Sequence, residues 1–275
     1  MRFSLTAILL FTVAVLTGGE KIASLSPNLT EIVCLLGGEE SLCGRSSACD
    51  YPPQVQKLPV VGRFGKADPE AVLASGATIV ITAVNRSPND RKLLEQAGIR
   101  YLEIPANSLS DYASALRILG GILGKREEAE REIRKVRKEM DRFRGDLRRK
   151  PKVFLLISDK PLCTAGKKTF LHELVELAGG ENLAGTEEKG YFTVSPEWVL
   201  LRNPEIVVFC GGHIDRNSVL RSTEAFRTGR ILTDLDPSLL YLLGPRSIEA
   251  VRKLHEYFRT VEKGANQEKQ RSLIF

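Results

Sequence analysis

The segment from Lys125 to Lys150 constrains this chain most. Within it Ala129, Ile133, Val136, Met140, Phe143 and Leu147 recur at alternating spacings of four and three, and almost every other position is Lys, Arg, Glu or Asp. That spacing places the apolar residues on one stripe of an α-helix. Gly120, Gly121 and Gly124 precede the segment and Pro151 follows it, so both ends carry helix-breaking signals. At the usual rise, a helix of this length spans about 37 Å, the scale of a small domain. A rod of that kind connects two bodies or lies along one, and the flanking sequence favours two.

The two flanks echo one another. Asp68-Pro-Glu-Ala-Val-Leu73 and Ser195-Pro-Glu-Trp-Val-Leu200 share a capping residue, a first-turn Pro and Glu, and the same distance to a following apolar run. Leu36-Gly-Gly-Glu39 likewise echoes Ala178-Gly-Gly-Glu181. Around these blocks, short apolar runs alternate with helical patterns. In the first half the expected strands are 22–25, 78–82 and 101–104, with helices at 29–36, 68–73, 91–97 and 110–123. In the second half they are strands at 153–157 and 206–209 and a helix at 169–178, with 191–195 as a loop. Such βα alternation predicts parallel sheets covered by helices. Two similar α/β halves imply a cleft between them, where small ligands bind.

The N-terminus reads Met1-Arg2, an apolar run to Leu16, then Thr17-Gly18-Gly19. The run is short for a bilayer span and suits a secretory signal removed after residue 19, with an uncleaved anchor as the alternative. No Cys follows it closely, so no lipobox is present. The formal charge of +6 comes largely from the rod, its exit and the C-terminal tail, without the aromatic interleaving expected of a nucleic-acid surface. Five cysteines, Cys34, Cys43, Cys49, Cys163 and Cys210, match no zinc spacing and make no disulfide framework in a chain of 275 residues. One bridge, such as Cys43 to Cys49, is compatible with an exported chain.

Catalytic motifs are lacking. His172, His213 and His255 stand in no catalytic pattern, Gly166-Lys-Lys-Thr169 lacks the upstream Gly of a phosphate loop, and no dinucleotide fingerprint follows the first strands. Cys210 and His213 form at most an incomplete metal pair, the basis of a less favoured reading as a metal-dependent enzyme or metallochaperone. The loops instead carry rings and cations: Tyr51, Phe64, Tyr191, Phe192 and Tyr241, with Arg63 and Arg246 nearby in sequence. Rings on loops at strand ends suit a large, rigid, partly polar ligand, and Phe192 is expected to cap a core instead.

Six segments resemble, in order, the helical-backbone (class III) periplasmic binding proteins of ABC importers. They are Ile22-Ala-Ser-Leu-Ser-Pro-Asn-Leu-Thr-Glu31, Cys49-Asp-Tyr-Pro-Pro53, Leu58-Pro-Val-Val-Gly62, Asp68-Pro-Glu70, Leu177-Ala-Gly-Gly-Glu-Asn182 and Gly244-Pro-Arg246. The Asp-Tyr-Pro-Pro loop is most similar to the cobalamin-binding branch. The resemblance implies two Rossmann-like α/β lobes with central sheets, bridged by one long helix. The expected organisation is a signal peptide over 1–19, an N-terminal lobe over 20–124, the bridging helix over 125–150, a C-terminal lobe over 151–260 and a polar tail over 261–275. It implies a non-enzymatic periplasmic protein, without a resident cofactor or metal, that captures cobalamin or a related corrinoid and delivers it to permease subunits in the inner membrane. A ferric siderophore or haem is the alternative cargo, and Arg63, Lys167 and Arg246 would then meet its anionic groups. By the same resemblance Tyr51, Phe64 and Tyr191 line the ligand pocket, Arg246 lies at its edge, and Glu70 and Glu197 dock on the permease, one from each lobe. Phe64 and Tyr191 stand where cobalamin binders often carry Trp, and the loop from Leu235 to Tyr241 does not match the family closely.

Overall fold

The computed structural model describes residues 19–210, 214–215, 218–233 and 243–272, with side chains through residue 264. Residues 1–18 of the segment read as a signal peptide, His213, and the loop from Leu235 to Tyr241 lie outside the described residues.

The first lobe runs β1 (Ile22–Ser24), α1 (Pro27–Leu35), β2 (Leu42–Ser46), β3 (Val60–Arg63), β4 (Lys66–Ala67), α2 (Pro69–Ala74), β5 (Ile79–Thr82), α3 (Pro88–Gln96), β6 (Arg100–Glu103) and α4 (Leu109–Ile122). Its strands form one sheet in the order β4-β3-β2-β1-β5-β6, parallel except for the edge pair β3–β4. The rod follows as α5 (Arg126–Arg144). The second lobe contains β7 (Lys152–Leu156), β8 (Ser158–Asp159), β9 (Leu162–Ala165), α6 (Phe170–Leu177), β10 (Glu181–Asn182), β11 (Tyr191–Thr193), α7 (Pro196–Arg202), β12 (Ile206–Phe209), α8 (Glu224–Arg227) and β13 (Ile231–Leu232). Its parallel sheet has the order β10-β7-β12-β13, the same arrangement as β2-β1-β5-β6 in the first lobe. The sequence echo is therefore an echo of topology. The capped blocks agree in detail: Asp68 accepts a hydrogen bond from the Ala71 amide, and Ser195 from the Trp198 amide, each at 3.2 Å.

Several features depart from the sequence expectations or decide what they left open. The rod is 19 residues long, about 28 Å, and ends at Arg144 instead of Lys150 because Gly145 follows it. Leu147, expected on the helical stripe, packs on the core from the connecting segment beside Gly179. Residues 191–193, expected in a loop, form β11, which pairs antiparallel with β9 in a separate sheet β11-β9-β8. Both outer strands depend on β9, whose identity as a strand the polar run around Cys163 and Thr164 conceals. Finally, the thiols of all five cysteines are free: Cys49 is buried against Thr30 and Ser46, while Cys43 faces Ser75.

The lobes also share more than a rod. The last helix, α9 (Pro245–Ser272), continues through the segment read as a polar tail and packs on α1 of the first lobe and α6 of the second. One hydrophobic cluster runs through both lobes, collecting Ile22, Ile32 and Leu116, then Ala129, Ile133, Val136, Met140 and Phe143 of α5, then Leu155, Leu174 and Val208, with Val251, Leu254 and Phe258 of α9. Separate clusters cover the far side of each sheet, around Leu25, Val80 and Leu94 in the first lobe and Phe154, Leu156 and Val207 in the second. Polar ties reinforce the shared layer. Arg252 of α9 meets both carboxylate oxygens of Glu139 on α5, at 2.6 and 2.8 Å, and His255 lies between Asp146 and the Ala178 carbonyl while stacking on Phe143.

Met140 is 1% exposed within the layer that joins the lobes. Met140→Ala should therefore destabilise the whole chain by about 2–5 kcal/mol, with the two lobes unfolding together in denaturant melts followed by Tyr and Trp fluorescence.

Candidate functional site

Strands β1, β2 and β5 of the first sheet end in small polar residues, Ser24, Ser46 and Thr82, that fix the loops beyond them. Thr30 donates to the Ser24 hydroxyl at 2.8 Å, Ser26 accepts from the Ala83 amide at 2.8 Å and contacts the Thr82 hydroxyl, and the Cys49 thiol lies within 3.1–3.2 Å of Ser46 and Thr30. These buried ties hold the C-terminal strand ends, where α/β sheets receive ligands. Beyond β3 the chain turns at Gly65, whose φ of +68° and lack of a side chain are both required, since a Cβ would approach the Val84 carbonyl to 2.6 Å. The turn presents Phe64, and the Arg86 guanidinium lies over its ring at 4.9 Å.

A cavity of about 490 Å³ opens above these loops, within the usual range for small-molecule sites. Its lining comprises Pro27, Asn28 and Glu31 of α1, Ala48 and Asp50 beyond β2, Phe64, Arg86, Tyr191 of β11, and Arg246 and Ser247 in the first turn of α9. The first lobe, the second lobe and the last helix thus all contribute walls. Two close approaches place α9. Asn28 donates its side-chain amide to the Leu243 carbonyl at 3.1 Å, and Gly244 sits so near Asn28 that a Cβ there would lie 3.0 Å from the Asn28 Cβ.

These contacts bring Arg246 over α1. Its Nε donates to Glu31 Oε1 at 2.8 Å, its Nη2 lies 2.7 Å from the same oxygen, and the guanidinium covers the Tyr51 ring at 4.6 Å. The Glu31 side chain is only 5% exposed. Burial holds its carboxyl above the usual carboxylate range, against the opposing pull of Arg246.

Phe64, Tyr191 and Arg246 therefore share one cavity. Tyr51 does not line it: the ring stands behind Arg246 and borders an adjoining hollow of about 420 Å³ with Cys34, Leu35, Glu39, Pro52, Pro245 and Glu249. Glu31 and Arg246 line both spaces and partition them. Two cations considered for an anionic cargo lie elsewhere. Arg63 borders a separate hollow with Lys66 and Asp90, and Lys167 is paired with Glu188. Phe192 is half-buried beneath Lys189. Glu70 and Glu197 are exposed in the first turns of α2 and α7. Hydrogen bonds from its own amide and from Ser195 hold the Glu197 carboxyl below its ordinary value. Cys210 is buried, and its thiol is pushed up to about 12 by desolvation; no group of three or more metal-ligating side chains occurs among the described residues.

Asn28, Glu31, Asp50 and Arg86 were not anticipated as lining residues. Glu31 carried a signal in its placement, a lone carboxylate in a helix otherwise buried around Leu29, Ile32 and Val33. Arg86 carried none, because its role depends on the turn at Gly65.

The Periplasmic binding protein family model matches residues 22–237. The vitamin B12-binding protein of Pectobacterium carotovorum is 26% identical over 272 residues, 96% of this chain and 97% of the relative. Among solved structures, the periplasmic vitamin B12-binding protein BtuF of Vibrio cholerae superimposes with a TM-score of 0.73 at 25% identity, covering 89% of this chain and 98% of that one. A periplasmic heme-binding protein from Pseudomonas aeruginosa gives a TM-score of 0.73 at 30% identity, with coverage of 86% and 91%. Among the described residues no helix is long and apolar enough to cross a membrane. With two sheet-containing lobes, a helical layer that joins them and a cavity lined from both, this chain belongs to the periplasmic binding protein family.

Proposed function

We propose that this protein is the substrate-binding component of an ABC importer, which captures cobalamin or a related corrinoid between its lobes and delivers it to permease subunits in the inner membrane. The observation that carries the reading is the cavity itself, where Phe64 of the first lobe and Tyr191 of the second offer flat apolar area and Arg86 and Arg246 add hydrogen-bond donors. The formal charges of the described lining residues cancel, Glu31 and Asp50 against Arg86 and Arg246. A balanced lining suits a ligand edged mainly by neutral carboxamides. The ligand is cargo, so no resident cofactor or catalytic step is assigned. Export by an N-terminal signal and work outside the inner membrane accompany this reading.

A ferric siderophore or haem is a second reading. It is favoured by Arg86, which is exposed at the cavity and makes no ion pair among the described residues, and by the heme-binding neighbour at 30% identity. Calorimetric titration with cyanocobalamin and with haemin separates the two. Binding of cyanocobalamin is expected, and no heat at tens of micromolar would overturn the corrinoid assignment. Tyr191→Ala, which removes the only described ring from the second lobe in this cavity, should weaken binding about ten-fold.

Glu70 and Glu197 are proposed as matching negative points for basic residues of the permease. Their positions support this, each in the first turn of a capped helix in equivalent blocks of the two lobes. Reversing both to Lys should leave ligand affinity unchanged and abolish transport into reconstituted vesicles; transport that persists removes the docking role. Because a continuous core joins the lobes, X-ray scattering with and without ligand should show closely similar radii of gyration.

A further inference from the structure

The partition between the two hollows is built from an unusual stack. At its base is Glu31, 6% exposed and held in α1 between buried Thr30 and Ile32. Above it lies the Arg246 guanidinium, with Nε and Nη2 both directed at Glu31 Oε1, and the Tyr51 ring covers the guanidinium at 4.6 Å. A planar cation held edge-on by a carboxylate and face-on by a ring has little freedom to turn. The side chain nevertheless remains 24% exposed and lines the ligand cavity. A buried carboxylate is costly unless it is paired. The pair joins the first lobe to the last helix, whereas the lobes are already joined by the apolar layer along α5 and α9, so cohesion alone does not call for a charge at this place.

We propose that Glu31 is a positioning residue that determines ligand specificity: it fixes the plane of the Arg246 guanidinium against Tyr51 and neutralises its charge, so that this wall favours neutral acceptors such as carboxamides over carboxylates. Glu31 itself need not touch the ligand. The proposal rests on the ligand-binding reading above and refines it by assigning a chemical class to one wall of the cavity.

The test uses the full chain and the variants Glu31→Gln and Arg246→Lys. Glu31→Gln keeps the shape and the acceptor oxygen but removes the charge. Arg246→Lys keeps the cation but loses the planar fork. The first readout needs no ligand: the Arg246 side-chain Nε–H signal in 1H–15N spectra, assigned by its loss in Arg246→Lys, should exchange slowly with water in the parent and quickly in Glu31→Gln. An equally slow signal in Glu31→Gln would overturn the positioning role. The second readout is the ratio of affinities for cyanocobalamin and for its monocarboxylic acid derivatives. Glu31→Gln should shift that ratio about ten-fold toward the carboxylates, the scale of one charge-assisted hydrogen bond. Arg246→Lys should weaken cyanocobalamin binding without that shift, because its charge remains cancelled. An unchanged ratio in Glu31→Gln, with melting temperature preserved, would overturn the specificity role. If the parent binds no corrinoid, the corrinoid reading fails, and the same ratio is measured with haemin and its dimethyl ester. A preference for the ester that Glu31→Gln reverses supports the role of Glu31, and no reversal overturns it.

Discussion

The structure depends on the burial of one apolar stripe. Ala129, Ile133, Val136, Met140 and Phe143 of α5 are each less than a tenth exposed, although the rest of the helix is densely charged. At roughly 25 cal/mol per Å² of apolar surface removed from water, such a stripe outweighs the surface ion pairs along the same helix, which contribute about 0–1 kcal/mol each. The stripe meets apolar residues from both sheets, so one burial event joins two halves. Arg117–Glu130 and Arg144–Asp141 decorate the joint; they do not make it.

A shared layer changes what the two lobes are. Each sheet has a private core on its far face and a common core on its near face. The lobes are therefore two sheets around one helical layer, with α9 crossing from α1 to α6 as a second tie beside α5. Most of the cavity lining comes from the first lobe and the first turn of α9, while Tyr191 comes from a small antiparallel sheet of the second lobe. That asymmetry makes the first lobe the platform and β11 the rim.

Much of this was legible in the sequence because it follows from periodicity and capping. The stripe from Ala129 to Phe143, the capped starts at Asp68 and Ser195, and the apolar runs at Ile79 and Ile206 are local signals with direct physical causes. The cavity was less legible. Phe64, Tyr191 and Arg246 line one cavity, whereas Tyr51 reaches its wall only through Arg246. The positions of Arg86 and Arg246 are set by contacts between residues distant in the chain: the Gly65 turn beside Val84, and the seat of Gly244 on Asn28. Residue patterns within one segment cannot encode contacts of that kind. The same limit explains β11, whose strand character comes from its partner β9 and not from its own three residues.

The seat of Gly244 on Asn28 also joins distant parts of the chain at the cavity. The first wall is made from residues near the beginning of the chain, but Arg246 and Ser247 belong to its final helix. The cavity is therefore complete only when segments 215 positions apart, those of Glu31 and Arg246, are folded against each other. A chain ending before Pro245 would lack the part of the lining that Arg246 and Ser247 supply.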